Sequence, residues 1–191
     1  MENNIEKAKK WLQLNNGDNC LPEQEHCPTR DLLQARLDKV RLMFEADPIN
    51  NLDIVYPLIA VIGEIGNNAY DHNLGNWRDV MGIYFNIDFD SKIIVIADRG
   101  QGILSSILKV KPDIKTDIDA LNVAFTETIS GRFPEKRGNG LKFVTKVAVD
   151  LGFKIALFSG NAVAKIENKE LSFSESDDNI NGVLAIITYN I

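Results

Sequence analysis

Apolar residues first fall into a helical rhythm at Leu33, Leu37, Val40 and Phe44, with Thr29 placed to cap the run and Asp47-Pro48 to end it. A second helix is expected from about Tyr56, with Pro57 in its first turn, through Leu58, Ile59, Ile62 and Ile65 to Ala69, stopped by Asn73, Leu74, Gly75 and Asn76. The period then drops to two. Ile83, Phe85 and Ile87 alternate with polar or small residues, Asp88 to Ser91 supply a turn, and Ile93 to Ala97 form an apolar run, which together read as a hairpin. Residues 104–137 combine a short helical stretch around Ile118 to Phe125 with a segment rich in Gly, Thr, Arg and Lys, and this is expected to be a mobile lid over a site. Leu141, Val144 and Val147 or Ala148 mark a further helix ended by Gly152, and strands are expected at 153–158, 162–167 and 183–189. This order predicts an α+β fold, a two-layer sandwich with helices on one face of a mixed, mostly antiparallel sheet.

Residues 1–28 are polar and irregular apart from a possible short helix over 5–14, so they read as a variable extension to a domain spanning 29–191. A chain of 191 residues suffices for one sizeable core, and 45% hydrophobic with 25% charged residues is ordinary globular composition. A net charge of -6 and a pI near 5.0 give no basic footprint, so neither nucleic acid nor an anionic membrane is an expected partner, and any phosphate must be held locally. No apolar run approaches the ~20 residues that cross a bilayer, and the first residues lack the core of a secretory signal, which points to the cytoplasm. Cys20, His26 and Cys27 make an incomplete zinc pattern, and reduced thiols are the plainer reading.

The chemistry-bearing residues lie in three places. Glu64, Asn68 and His72 stand at i, i+4 and i+8 of the second helix and project from one face, where a carboxylate can orient a nucleophile, an amide oxygen can bind Mg²⁺ and an imidazole can reach phosphate. The same spacing also suits the polar outer face of any amphipathic helix. Asp98, Gly100 and Gly102 follow the apolar strand; the aspartate can accept a hydrogen bond from an exocyclic amine, and the glycines let the backbone pass close to a flat base. Gly138 and Gly140 precede the last helix, whose N-terminal amides could cradle phosphate, with Lys136 and Arg137 within reach or merely solvated.

Taken together these motifs resemble the GHKL ATPase family, the Bergerat fold. Glu64 to His72 looks like its N box, Asp98 to Gly102 its first glycine box, and Arg137, Gly138, Gly140 and Leu141 its second. The resemblance implies ATP as ligand with Mg²⁺, the metal on Asn68, adenine on Asp98, a lid over the phosphates, and Glu64 as general base where ATP is hydrolysed or a serine phosphorylated. Arg99 departs from the Asn of many relatives, Gly63 and Gly66 weaken the helix, and Val183 after Gly182 replaces a frequent Thr, leaving Ser159 and Thr188 as candidate hydroxyls. His26, followed by Cys27-Pro28, makes a poor phosphoacceptor, and no residues remain after Ile191 for a transducer domain, so a stand-alone module is expected. The nearest type is an anti-sigma-factor-like serine kinase acting on a regulatory protein partner; the alternative is a non-catalytic ATP/ADP sensor or partner-binding module.

Overall fold

The computed structural model describes residues 3–14, 17–18, 20–128 and 139–191. Its elements in chain order are α1 (Asn4–Gln13), β1 (His26–Cys27), α2 (Arg30–Ala46), α3 (Leu52–Asn73), β2 (Ile83–Asp88), β3 (Ile93–Asp98), α4 (Gly102–Leu108), α5 (Asp117–Thr126), α6 (Gly140–Leu151), β4 (Lys154–Glu167) and β5 (Glu170–Thr188). Thr29 caps α2 as expected, its hydroxyl accepting the Leu32 amide at 3.3 Å. The central helix α3 begins a turn earlier than Tyr56, because Asn51 Oδ1 accepts the Asp53 amide at 3.0 Å and starts it there. Pro57 therefore lies in the second turn and forgoes one main-chain bond. Gly66, which costs helix propensity, lets α2 and α3 approach: a Cβ there would stand 2.6 Å from Leu33 Cδ2.

The five strands run in the order β1-β2-β3-β5-β4, and every neighbouring pair is antiparallel, so the sheet is not mixed. The hairpin of β2 and β3 forms in the expected place. β4 and β5 are longer than the separate strands expected, forming one hairpin that turns through Asn168 and Lys169, both at positive φ. Leu171 and Phe173 alternate with polar residues at the start of β5, but residues 174–179 carry no apolar residue to betray the strand. The ladder to β4 holds it extended.

Leu33, Leu37, Val61, Ile62, Ile65, Val144 and Ala148 from the helices meet Ile83, Phe85, Ile94, Ile96, Leu157, Ala185 and Ile187 from the sheet in the main core. This is the layered α+β arrangement the sequence predicts. α1 breaks the pattern by covering the opposite face, where Ala8, Trp11 and Leu12 pack on Tyr84, Val95, Ala97 and Leu184. Because β2 and β3 are apolar on both faces, both need cover. Among the described residues before Thr29, α1 closes a second core and β1 adds an edge strand to β2. Burial of Trp11 and Leu12, each 1% exposed, contributes roughly 1.5–3 kcal/mol apiece.

The alternation of β3 carries through to Arg99, which leaves on the α1 side and is fully buried. It pairs with Asp79, donates to the Asp18 carbonyl at 2.7 Å and the Leu14 carbonyl at 2.6 Å, and lies 5.5 Å from the centre of the Trp11 ring. Arg78 donates to the Leu12 carbonyl at 2.9 Å. Two guanidinium groups therefore serve carbonyls that the end of α1 leaves without intrahelical partners.

The first part of the expected lid is structured. α5 stands where a helical stretch is predicted, and α4, not predicted, precedes it; Ile107, Ala120 and Val123 pack together while Leu121 and Phe125 join the main core. Residues 129–138 lie outside the described residues. Among the described residues no group of three His, Cys, Asp or Glu side chains could hold a metal; Cys27 is buried with Sγ 3.1 Å from Arg36 Nη1, and Cys20 is exposed. No described helix is long and apolar enough to cross a membrane.

Candidate functional site

Asp98 ends β3 with its side chain toward α3 and only 4% exposed. Its Oδ1 accepts two hydrogen bonds, from Asn73 Nδ2 at 3.0 Å and from the Gly100 amide at 2.9 Å. Burial nevertheless dominates and pushes the carboxyl up to about 6. Asn73 is buried too, and its Oδ1 accepts the Gln101 amide at 3.0 Å. The loop after β3 is thus pinned to the last residue of α3.

Gly100 has a different reason from the one expected. A Cβ there would fall 2.0 Å from Asn73 Nδ2, so the glycine makes room for that amide. Gly102, at φ +76°, does line the cleft and opens α4. Ser159 stands against it, accepting the Ile103 amide at 2.9 Å and donating to the Gly182 carbonyl at 2.9 Å. Of the two candidate hydroxyls, Ser159 is therefore at the site, while Thr188 pairs with Ile93 at the far end of β3. Val183 sits opposite Asp98 in the ladder and lines the cleft.

The cleft is open-mouthed, with an enclosed volume of about 130 Å³. Ile65, Ala69, Ile103, Ile107, Leu141, Leu157 and Val183 give it apolar walls, into which Asn68, His72, Asn73, Asp98, Ser106 and Glu127 bring polar atoms. Six of the residues singled out from the sequence, Asn68, His72, Asp98, Gly102, Gly140 and Leu141, therefore meet here. Glu64 is not in the wall but reaches its edge: a Cβ on Gly140 would lie 1.9 Å from Glu64 Oε1, so this carboxylate rests against the N-terminus of α6. Asn139 makes no side-chain cap there, which leaves the first amides of α6 without that partner. Arg137 and Gly138 lie outside the described residues.

Asn73 and Glu127 are not among the residues the sequence singles out. Asn73 carried a legible signal, since it continues the buried stripe of Ile62, Ile65 and Ala69 at spacings of three, four and four, and a polar residue on such a stripe demands a partner. Glu127 follows α5 and pairs with Lys111; Lys142 Nζ donates to Thr128 Oγ1 at 2.7 Å, and Thr128 to Asn139 Oδ1 at 3.2 Å, so both sides of the stretch outside the described residues are tied together. Neither pattern is local enough to read from sequence.

Asn68 and the α6 N-terminus fit a magnesium-bound phosphate by the chemistry of the donors: one amide oxygen and the main-chain amides of a helix N-terminus, with no carboxylate cage among the described residues, so most of the metal's ligands would be phosphate oxygens and water.

No protein-family model matches the chain, and no curated protein matches it. Solved structures similar to it include the ATPase region of Saccharomyces cerevisiae topoisomerase II, with 15% identity, 66% of this chain and 36% of that chain covered, and a TM-score of 0.42. Another is the 43K ATPase domain of Thermus thermophilus gyrase B in complex with an aminocoumarin, with 17% identity, 68% and 33% covered, and a TM-score of 0.41. The matched part spans about a third of the length of those chains.

Proposed function

We propose that the chain binds Mg-ATP in this cleft and works as a regulatory domain on a protein partner, as a histidine-kinase-like ATPase or protein serine kinase. The observation that carries this reading is Asp98: a buried carboxylate whose Oδ1 accepts from two donors and which lines an apolar cleft. Such a group selects a base amine. The apolar walls take the purine, and the α6 amides take phosphate without net positive charge, as a chain of charge -6 requires. Magnesium, when bound, neutralises phosphate charge and aligns the oxygens. Glu64, one turn before Asn68 and against Gly140, is placed to orient an attacking water or a partner's hydroxyl and to take its proton.

Thermal stabilisation by ATP, ADP and GTP, each with and without Mg²⁺, tests the reading. ATP and ADP should stabilise and GTP should not; equal stabilisation by GTP would remove the adenine assignment. Asn68→Ala is expected to weaken magnesium-dependent ATP binding more than metal-free binding, measured by calorimetry, and an equal loss in both would make the residue structural. Glu64→Gln should hold ATP affinity within a few-fold while turnover falls by ~10²–10⁴, the usual loss with a general base. Tight ATP binding by the wild type with no hydrolysis and no transfer to any protein would favour a nucleotide sensor over an enzyme.

A further inference from the structure

Resting on the adenine-nucleotide reading, we propose that Asn73 is the positioning residue that sets base selectivity, by holding Asp98 with Oδ1 turned inward and Oδ2 left for the ligand. The sense of the Asn73 amide is fixed by its neighbours. The Gln101 main-chain N–H can only donate, so Asn73 Oδ1 must face it, at 3.0 Å; Nδ2 is then left to face Asp98, also at 3.0 Å. Gly100 passes so close that any side chain there would overlap the amide. Asp98 Oδ1 thus receives two donors, from Asn73 and Gly100, and no described group occupies Oδ2. A ligand meets a pure acceptor. Aminopurine nucleotides are selected and oxopurines, which would present a carbonyl to a carboxylate, are rejected, although Asn73 itself need touch neither.

Other ionisable groups are arranged around this pair without replacing either member. His72 and Glu127 line the same cleft, Tyr70 lies on α3 with its hydroxyl donating to the Cys27 carbonyl at 2.7 Å, and Arg99 leaves on the opposite face of the sheet. The direct donors to Asp98 are the amides of Asn73 and Gly100.

The discriminating variant is Asn73→Asp, which keeps the shape and the acceptor toward Gln101 but puts a carboxylate where the donor stood. Two carboxylates at such a distance retain one proton between them, and that shared proton can take over the amide's part. At pH 8.5 the variant should bind ADP about tenfold or more weakly than wild type, a loss of the size expected for a disrupted charged hydrogen bond. Its affinity should recover as the pH falls to 6.5, whereas wild-type affinity should not rise over that range. Asn73→Ser, whose hydroxyl can give or take a hydrogen bond, should narrow the ratio of ADP to GDP affinity, and it stands as the second measurement should Asn73→Asp not fold. Unliganded melting temperatures report folding separately. Variants that melt lower yet keep the wild-type ADP to GDP ratio and pH profile would overturn the inference and leave the nucleotide site intact. A wild-type protein stabilised by no adenine nucleotide would overturn the site assignment itself, and this inference with it.

Discussion

Replacing Asp98 with Asn should exchange the base preference of the cleft and not merely weaken it. Both groups that face Oδ1, Asn73 Nδ2 and the Gly100 amide, are donors, so a new side-chain amide must turn its oxygen inward and its NH₂ toward the ligand. ADP, which offers an amine there, should lose ~10²-fold or more in affinity, and GDP or IDP, which offer a carbonyl, should gain on it. The wild-type affinity for ADP should also depend on pH in a defined sense. With its carboxyl raised to about 6 by burial, against an ordinary value near 4, Asp98 contributes stability that is fully present below about pH 4 and is lost as pH rises through 6. At pH 7 the ionised group therefore costs the unliganded protein on the order of 3 kcal/mol. An amine donating to the carboxylate favours the ionised form, so ADP affinity should be flat above pH 7 and fall about tenfold per unit below 6. Calorimetric titrations of ADP from pH 5 to 8 check this. In Asp98→Asn the slope should vanish, and the unliganded protein at pH 8 should be at least as stable as wild type. A pH-dependent ADP affinity that survives the substitution would move the titrating group elsewhere.

Arg99→Met should be among the most destabilising single changes in the chain. It strips a fully buried guanidinium from Asp79, takes the shorter of its two donors from the Leu14 carbonyl and removes the Arg99 donor from the Asp18 carbonyl. Removing one member of a buried ion pair costs about 3–5 kcal/mol, a large share of the 5–15 kcal/mol that holds a typical domain folded. For a chain of this size that is a fall in melting temperature of roughly 6–20 °C. Asp79 keeps Arg78 at 3.9 Å and the Val80 amide but loses its closest cation, so adding Asp79→Leu should recover part of the loss and the double variant should be more stable than the sum of the two single ones. Denaturant unfolding of all four proteins measures this cycle. A loss below 1 kcal/mol in Arg99→Met would mean that the segment carrying α1 is not fastened by this side chain. Deletion of residues 1–18 should have the same direction of effect, since it uncovers Tyr84, Val95, Ala97 and Leu184 on the far face of the sheet.

Arg99 also shows why a departure from a motif was not legible as one residue. Read along the chain it is only a departure from the motif the sequence resembles, with no partner in view. In the fold, strand alternation turns it away from the cleft while Asp98 turns toward it, and its partners lie at Leu14, Asp18 and Asp79, as many as 85 positions away. The choice of Ser159 over Thr188 as the hydroxyl at the site likewise rests on distant partners, the Ile103 amide and the Gly182 carbonyl.

What the sequence determined by itself is what local periodicity and capping chemistry can carry. The 3.6-residue rhythm and Thr29 place α2; the alternation of Ile83, Phe85 and Ile87 places the hairpin; Gly152, at φ +75°, ends α6; and the i, i+4 spacing puts Glu64, Asn68 and His72 on one side of α3. What only the tertiary structure decided depends on groups far apart in the chain. That α1 closes a second core follows from a sheet apolar on both faces, and that β5 extends through a polar stretch follows from the ladder β4 offers it. Gly100 is glycine because Asn73 fills the space beside it, and Asp98 presents one oxygen to the cleft because two buried donors hold the other. Those constraints arise from close packing and from the need to satisfy buried polar groups, and neither exists until the chain has folded.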